Sequence, residues 1–203
     1  MLSHEFKLIF IHVPRTGGTS VDTLFRGVHQ GHRSASGYCA LLGDDIWERY
    51  FKFSTVRNPW DQLVSWYFFH HKNALYQPQN IPGFRAWVRR GMCNHWEYRY
   101  KGTDPFCQKT FVSIDGEVAV NRILRFEDLD HEFSDLCRQL KLTMPKLPYV
   151  QMSVRRRDVE YYDEFTADIV RDRCAEDIQF FGYDFDDKPV SLVTLCRAPC
   201  GQE

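Results

Sequence analysis

Residues 14–20 bring a cation, two glycines and three hydroxyls into one short segment, and this combination suits a bound phosphate or sulfate. Arg15 supplies a fixed positive charge, while Gly17 and Gly18 allow the backbone to approach an anion closely. The hydroxyl donors are Thr16, Thr19 and Ser20. We therefore predict that residues 15–20 bind a phosphorylated cofactor.

The flanking residues predict that this segment joins a strand to a helix. The apolar run Leu8–Ile11 precedes it and ends before Pro14, and an amphipathic stretch follows over residues 21–28. The segment has neither the spaced glycine nor the following lysine of a Walker loop, so it is not an ordinary ATP-binding loop. A helix start whose glycines only make the turn remains the alternative interpretation.

A second unit of the same kind lies at residues 51–70. Residues 51–57 are β-branched and aromatic and predict a strand, which Asn58-Pro59 interrupts before an aromatic-rich helix. Arg57 lies at the end of the strand and Ser65 two helical turns further on. A guanidinium fork and a hydroxyl in these places would hold a second phosphate.

Together these two segments resemble the cofactor motifs of sulfotransferases that use 3′-phosphoadenosine-5′-phosphosulfate (PAPS). Residues 14–20 are similar to the family's 5′-phosphosulfate loop, and residues 56–67 to its 3′-phosphate site. Three more stretches are similar to the branch that includes many carbohydrate sulfotransferases, namely residues 31–35, 125–129 and 177–185. The resemblance runs from about residue 7 to residue 186. It implies PAPS as the cofactor, transfer of a sulfuryl group to a hydroxyl, and a small-molecule or glycan acceptor.

The resemblance also suggests catalytic residues. Arg15 stands where the family usually has lysine, and it would offset charge on the leaving phosphate without a metal ion. His32 lies in a glycine-flanked loop, matches a histidine of the related branch and is the first choice as general base. His12 is the second choice, with a hydrogen-bonded strand histidine as its alternative role. Acidic residues serve as the base elsewhere in the superfamily, so three more candidates remain open, namely Asp22, Asp44 and Asp45.

Arg125 and Glu127 fall where relatives carry an Arg-x-Glu sequence at the end of a strand. The resemblance implies that Arg125 borders the nucleotide and binds the cofactor. The alternative is an ion pair between the two side chains that holds the following helix, and for Glu127 we favour that structural role.

Composition restricts the remaining possibilities. The chain has 203 residues and a net charge of −1, which does not suggest a nucleic-acid partner. Its seven cysteines contain no C-x-x-C pair, so neither a zinc cluster nor a disulfide framework is predicted. No apolar run approaches the length of a membrane span, and we expect a cytoplasmic location. The oligomeric state is not predictable from these features.

Strands that alternate with helices predict an α/β fold in one domain, with a central parallel sheet flanked by helices. The resemblance implies that this fold is of the P-loop-NTPase-like sulfotransferase type. That domain would cover residues 1–186, with a tail at 187–203. We predict helices over residues 38–50 (a short pair), 84–92, 129–140 and 165–181, a strand over 123–126, and a hairpin over 110–120 that turns at Asp115-Gly116. Two alternatives to a sulfotransferase stay open: a small kinase or NTPase, and a non-catalytic relative that binds the nucleotide.

Overall fold

The computed structural model of the chain describes residues 1–25, 27–28, 31–70, 81–92, 104–143, 146–148 and 158–186. The strands are β1 (Leu2–Ser3), β2 (Leu8–Ile11), β3 (Phe51–Val56), β4 (Ser113–Ile114), β5 (Glu117–Val118) and β6 (Arg122–Arg125). The helices are α1 (Gly18–Phe25), α2 (Ala35–Leu42), α3 (Asp44–Arg49), α4 (Pro59–His70), α5 (Ile81–Arg89), α6 (Gln108–Val112), α7 (Leu129–Gln139), α8 (Glu164–Arg173) and α9 (Ala175–Phe181). Short 3-10 turns occupy Phe126–Asp128 and Asp158–Tyr161.

The central sheet has the strand order β1-β2-β3-β6 and is flanked by helices, so the chain is a single-domain α/β protein. Strands β2, β3 and β6 are parallel, as predicted. The expectation of an entirely parallel sheet was wrong at one edge, where β1 pairs antiparallel with β2. Only four residues separate β1 from β2, and a connection that short returns the chain in the opposite direction.

The two inner strands are buried on both faces, but only β2 is a continuous apolar run, since β3 also contains Lys52, Ser54 and Thr55. Within β3, the hydroxyl of Ser54 is satisfied because Oγ donates to the Ile11 carbonyl oxygen of β2 at 2.7 Å. Val56 pairs with Arg125 at the last register position of β3 and β6. The carboxyl ends of the three parallel strands therefore meet at one edge of the sheet, where both predicted anion-binding segments begin.

Several predicted elements are confirmed and others need correction. The helical pair over residues 38–50 and the helix that starts at 129 are present as α2, α3 and α7, whereas α1 starts at Gly18 rather than at residue 21. The predicted helix over 165–181 is two helices, α8 and α9, which are separated at Cys174. A one-residue break hardly changes the spacing of the apolar positions, so the sequence pattern did not reveal it.

The predicted hairpin is shorter than expected. Asp115 and Gly116 form its turn with φ angles of 51° and 83°, as a two-residue turn of the I′ type requires. Residues 110–112, which we predicted to extend the first strand, belong to α6 instead. Phe111 and Val112 have high β-propensity. The helix forms here because the Asp177 carboxylate accepts the N–H groups of its first two residues.

The predicted tail at 187–203 falls outside the described residues. Among the described residues, no helix is long and apolar enough to cross a membrane.

Candidate anion-binding site

The turn between β2 and α1 is tied to its neighbours by hydrogen bonds. Thr16 is fully buried, and its hydroxyl donates to the Val13 carbonyl oxygen at 2.9 Å and lies 2.6 Å from the hydroxyl of Thr55. Gln62 of α4 donates from Nε2 to the Pro14 carbonyl oxygen at 2.9 Å. The Thr16 hydroxyl, predicted as a donor to an anion, thus anchors the turn to the sheet in this structure.

Both glycines of the turn lie where a side chain would collide with its surroundings. Gly17 has a φ of 83°, and a Cβ there would lie 2.8 Å from Leu129 Cδ2 and 3.0 Å from Phe126 Cδ2. A Cβ on Gly18 would lie only 2.2 Å from Cδ2 of His12. Close packing by an aromatic ring on each glycine is therefore a structural reason for this Gly-Gly pair, alongside the predicted approach of an anion.

Arg15 has a φ of 64°, in the left-handed region that residues other than glycine seldom adopt. Its Nε donates to the hydroxyl of Ser65 on α4 at 3.1 Å, and its guanidinium lies 4.3 Å from the ring centre of Phe69. The sequence interpretation grouped Ser65 with Arg57, whereas the structure brings Ser65 to Arg15. Backbone strain of this kind is concentrated at ligand-binding and catalytic sites in proteins.

Arg57 is buried, and every nitrogen of its guanidinium has a hydrogen-bond or ion-pair partner. Nε and Nη2 lie 2.6 and 2.5 Å from Oδ2 of Asp61, while Nη1 donates to the Arg15 carbonyl oxygen at 2.9 Å. The guanidinium also stacks 3.7 Å from the ring centre of Phe126, the same ring that packs on Gly17. Our sequence reasoning missed Asp61, although its i, i+4 spacing from Arg57 on a helix start was a usable signal.

Glu127 holds the residue that follows Arg57. Its Oε1 accepts the N–H of Asn58 at 2.6 Å, and its Oε2 accepts the hydroxyl of Tyr183 at 3.2 Å. Asn58 in turn accepts the Trp60 N–H on Oδ1 at 3.0 Å, at the start of α4. Burial raises the pKa of Glu127, although the hydrogen bond from Asn58 and the charge of Arg57 act in the opposite direction. We expected an ion pair between Glu127 and Arg125 that holds the following helix, whereas Glu127 contacts Asn58 and Tyr183 in the structure.

Arg125 is almost completely buried and is directed toward α9. Its Nη2 donates to the Phe181 carbonyl oxygen, and the guanidinium lies 4.5 Å from the ring centre of Tyr183. Within the described part of the chain, its Nε and Nη1 have no hydrogen-bond partner. The contacts of Arg125 thus lie near the end of α9, whereas the Arg57 side chain contacts the turn that carries Arg15.

His12 and His32 lie next to each other at the base of the turn, with their ring centres 4.5 Å apart. His12 is buried, and its Nδ1 lies 2.9 Å from Oδ2 of Asp22 in α1. His32 is half-buried, and its Nδ1 lies 2.9 Å from the His12 carbonyl oxygen. A carbonyl oxygen only accepts hydrogen bonds, so Nδ1 of His32 carries a proton and Nε2 is the basic nitrogen of the neutral ring.

The other acidic candidates lie elsewhere. Asp44 and Asp45 are exposed in the first turn of α3, where Asp45 forms an ion pair with Arg49. No group of three or more potential metal ligands occurs among the residues that the structure describes.

The site as a whole is suited to a ligand with several negative charges. The start of α1 at Gly18 carries no acidic residue in its first turn, so the positive end of the helix adds to the charge of Arg15. Arg57 is a second cation, at the turn after β3, and it is ion-paired with Asp61. The arrangement therefore unites two arginines, one helix start and a histidine pair at the carboxyl edge of the sheet.

No model of a known protein family, no curated protein and no solved structure matches this chain.

Proposed function

We propose that this protein is a sulfotransferase, which transfers the sulfuryl group of PAPS to an acceptor hydroxyl of a carbohydrate. The observation that supports this most is the hydrogen bond from Arg57 to the backbone of Arg15, because it joins the two motifs that resemble the cofactor site. Arg15 and Arg57 lie in the turns that follow the neighbouring parallel strands β2 and β3. A nucleotide with phosphates at both ends of its ribose needs two such cationic centres.

In this proposal Arg15 and the start of α1 bind the 5′-phosphosulfate, and Arg57 binds the 3′-phosphate. Asp61 fixes the plane of the Arg57 guanidinium, since Nε and Nη2 both contact the same carboxylate oxygen. Hydrogen bonds to charged groups contribute roughly 1.5–3 kcal/mol each. Four or five of them offset the ordering cost and give an affinity of about 1 μM.

The chemistry follows from positions and charges. The acceptor oxygen attacks sulfur, the bond between sulfur and the bridging phosphate oxygen breaks, and 3′-phosphoadenosine-5′-phosphate (PAP) leaves. Arg15 offsets the charge that develops on the leaving phosphate, as cations do in the related phosphoryl transfers. His32 takes the proton of the acceptor hydroxyl on Nε2, a contribution of about 10²–10⁴ in rate.

A non-catalytic nucleotide-binding relative is the second candidate, and the environment of Arg15 favours it. The guanidinium of Arg15 is held by Ser65 and stacked on Phe69. A lysine, which is usual at this position in the resembled family, is a compact point charge that follows a leaving oxygen more readily. A kinase or NTPase is less well supported, since no lysine follows Gly18 in the sequence.

The direct experiment is a transfer assay with radiolabelled PAPS and a panel of oligosaccharides. We expect label on at least one oligosaccharide, release of PAP in equal amount, and loss of both in Arg15→Ala. Nucleotide binding without any label transfer would favour the non-catalytic relative. No binding of PAP or PAPS would overturn the proposal.

A further inference from the structure

Gln108, the first residue of α6, binds both polar groups of the Arg57 backbone. Its Oε1 accepts the Arg57 N–H at 2.8 Å, and its Nε2 donates to the Arg57 carbonyl oxygen at 2.7 Å. The side chain is fully buried, so both hydrogen bonds are shielded from water. Gln108 thus contacts Arg57 as a neighbouring strand would contact it.

These two hydrogen bonds take the place of strand pairing just beyond the end of β3. The last register pair of β3 and β6 joins Val56 to Arg125, and Arg57 follows immediately beyond it. Beyond Val56 the register between the two strands ends, so strand pairing does not fix the direction in which the Arg57 side chain leaves the backbone. The amide of Gln108 holds the Arg57 backbone at this point.

Asp177 of α9 holds Gln108 in its place. Its Oδ2 accepts the Gln108 N–H at 2.6 Å and its Oδ1 accepts the Lys109 N–H at 2.8 Å. Both carboxylate oxygens of this buried side chain are therefore used at the start of α6. A chain of contacts leads from Asp177 through Gln108 to Arg57, and all three side chains are buried.

We propose that Gln108, anchored by Asp177, is a positioning residue that orients Arg57 toward the 3′-phosphate of the nucleotide. This inference rests on the function proposed above. Gln108 does not contact the nucleotide in this account. It determines how well the protein distinguishes a nucleotide that carries a 3′-phosphate from one that lacks it.

The test compares the affinities for PAP and for adenosine 5′-phosphate, which differ only in the 3′-phosphate. Gln108→Met has a similar volume and removes both hydrogen bonds to Arg57. We expect it to lower the preference for PAP about tenfold while the affinity for adenosine 5′-phosphate stays within about twofold of the wild-type value. A merely structural role would lower both affinities together.

A second variant covers the case in which Gln108→Met does not fold. Asp177→Asn keeps one acceptor for the two N–H groups at the start of α6, and we expect it to lower the preference for PAP about threefold. Asp163→Asn is the matched control, because Asp163 caps α8 by accepting the Thr166 N–H at 2.9 Å. The preference should not change in this control.

The outcomes separate the two proposals. A wild-type protein without any preference for PAP overturns the proposed function and this inference with it. A wild-type preference that persists in Gln108→Met, or in Asp177→Asn where the first variant is unfolded, overturns this inference alone. So does an equal loss of preference in Asp163→Asn, because that would trace the effect to general destabilisation.

Discussion

Arg57 donates a hydrogen bond from Nη1 to the backbone carbonyl oxygen of Arg15, and the two atoms are 2.9 Å apart. The bond joins two turns that are 42 residues apart in the sequence and that follow neighbouring parallel strands. A guanidinium that is already held in place loses little conformational freedom when a ligand binds. The two predicted anion-binding motifs therefore form one preorganised unit.

Substitution of Arg15 distinguishes a working enzyme from a protein that only binds the nucleotide. We expect Arg15→Ala to lower PAP affinity about tenfold or more, since it removes a cation and its hydrogen bonds. Arg15→Lys keeps the charge, so its affinity should stay within about threefold of wild type, and in a working enzyme this variant should keep measurable turnover. Calorimetry and the label-transfer assay measure the two quantities. A lysine variant with a rate that the natural chain lacks would identify the natural chain as a non-catalytic relative.

Gly18→Ala tests the contact between the turn and the ring of His12. The new Cβ would lie 2.2 Å from His12 Cδ2, so the ring or the turn must shift. We expect the free energy of unfolding, measured with urea, to fall by about 1–3 kcal/mol. Gly37→Ala in α2 is the control: its Cβ would lie 2.8 Å from Cγ of Arg33, in a side chain that can turn away, so we expect a smaller loss of stability than in Gly18→Ala. Equal effects at the two positions would contradict the packing argument.

These contacts show what the sequence could predict and what it could not. The two strand–turn–helix units around Arg15 and Arg57 were predictable, because apolar runs, glycines and a proline mark each one locally. The partner that holds the Arg57 backbone was not, since Gln108 lies 51 residues away in the sequence. The sequence of residues 110–112 also predicts a strand, but these residues belong to α6. The Asp177 carboxylate, which accepts the Gln108 N–H at the start of this helix, is 69 residues from Gln108 in the sequence.

His32→Ala tests the proposed general base. We expect turnover in the label-transfer assay to fall about 100-fold or more while PAP affinity is unchanged, because the base acts on the acceptor rather than on the nucleotide. His131→Ala, at an exposed position of α7, should change neither quantity. Unchanged turnover in His32→Ala would remove this residue from the mechanism and direct attention to His12.

The raised pKa of Asp177 should make the free energy of unfolding depend on pH. Burial raises the pKa of Asp177 from 3.8 to about 7, although hydrogen bonds from the Gln108 and Lys109 N–H groups act against this shift. Between these two pH values the native state binds the proton and the unfolded state has released it, so the stability due to this group falls as the pH rises. The charged or titratable groups around Asp177 are Asp104, Cys107, Lys109, Arg173, Cys174 and Glu176.

The measurement is urea unfolding of the wild type and Asp177→Asn across the pH range from 4 to 8. We expect the stability of the wild type relative to the variant to decrease from about pH 4 to about pH 7 and to level off above that range, by a few kcal/mol at most, since one pKa unit corresponds to about 1.4 kcal/mol. Titrating groups that do not interact with Asp177 cancel in the comparison. A constant difference across this range would show that Asp177 is ionised throughout.

Among the predicted site residues, side-chain direction was the least predictable property. The sequence placed Arg15, Thr16 and Ser65 near an anion, yet it could not show that the Thr16 hydroxyl binds the backbone of Val13 or that Ser65 contacts Arg15. Hydroxyl groups bind backbone carbonyls as readily as ligands, and only the packed structure decides between the two.

The central claim is tested most directly by calorimetric titration with PAP, beside ATP with magnesium, in the wild type, Arg57→Ala and Arg49→Ala. Arg49 forms an exposed i, i+4 pair with Asp45 and is the matched control for the buried pair of Arg57 and Asp61. We predict a dissociation constant for PAP of about 1 μM in the wild type and in Arg49→Ala, at least a tenfold loss in Arg57→Ala, and weaker binding of ATP. A preference for ATP with magnesium that does not depend on Arg57 would contradict the account.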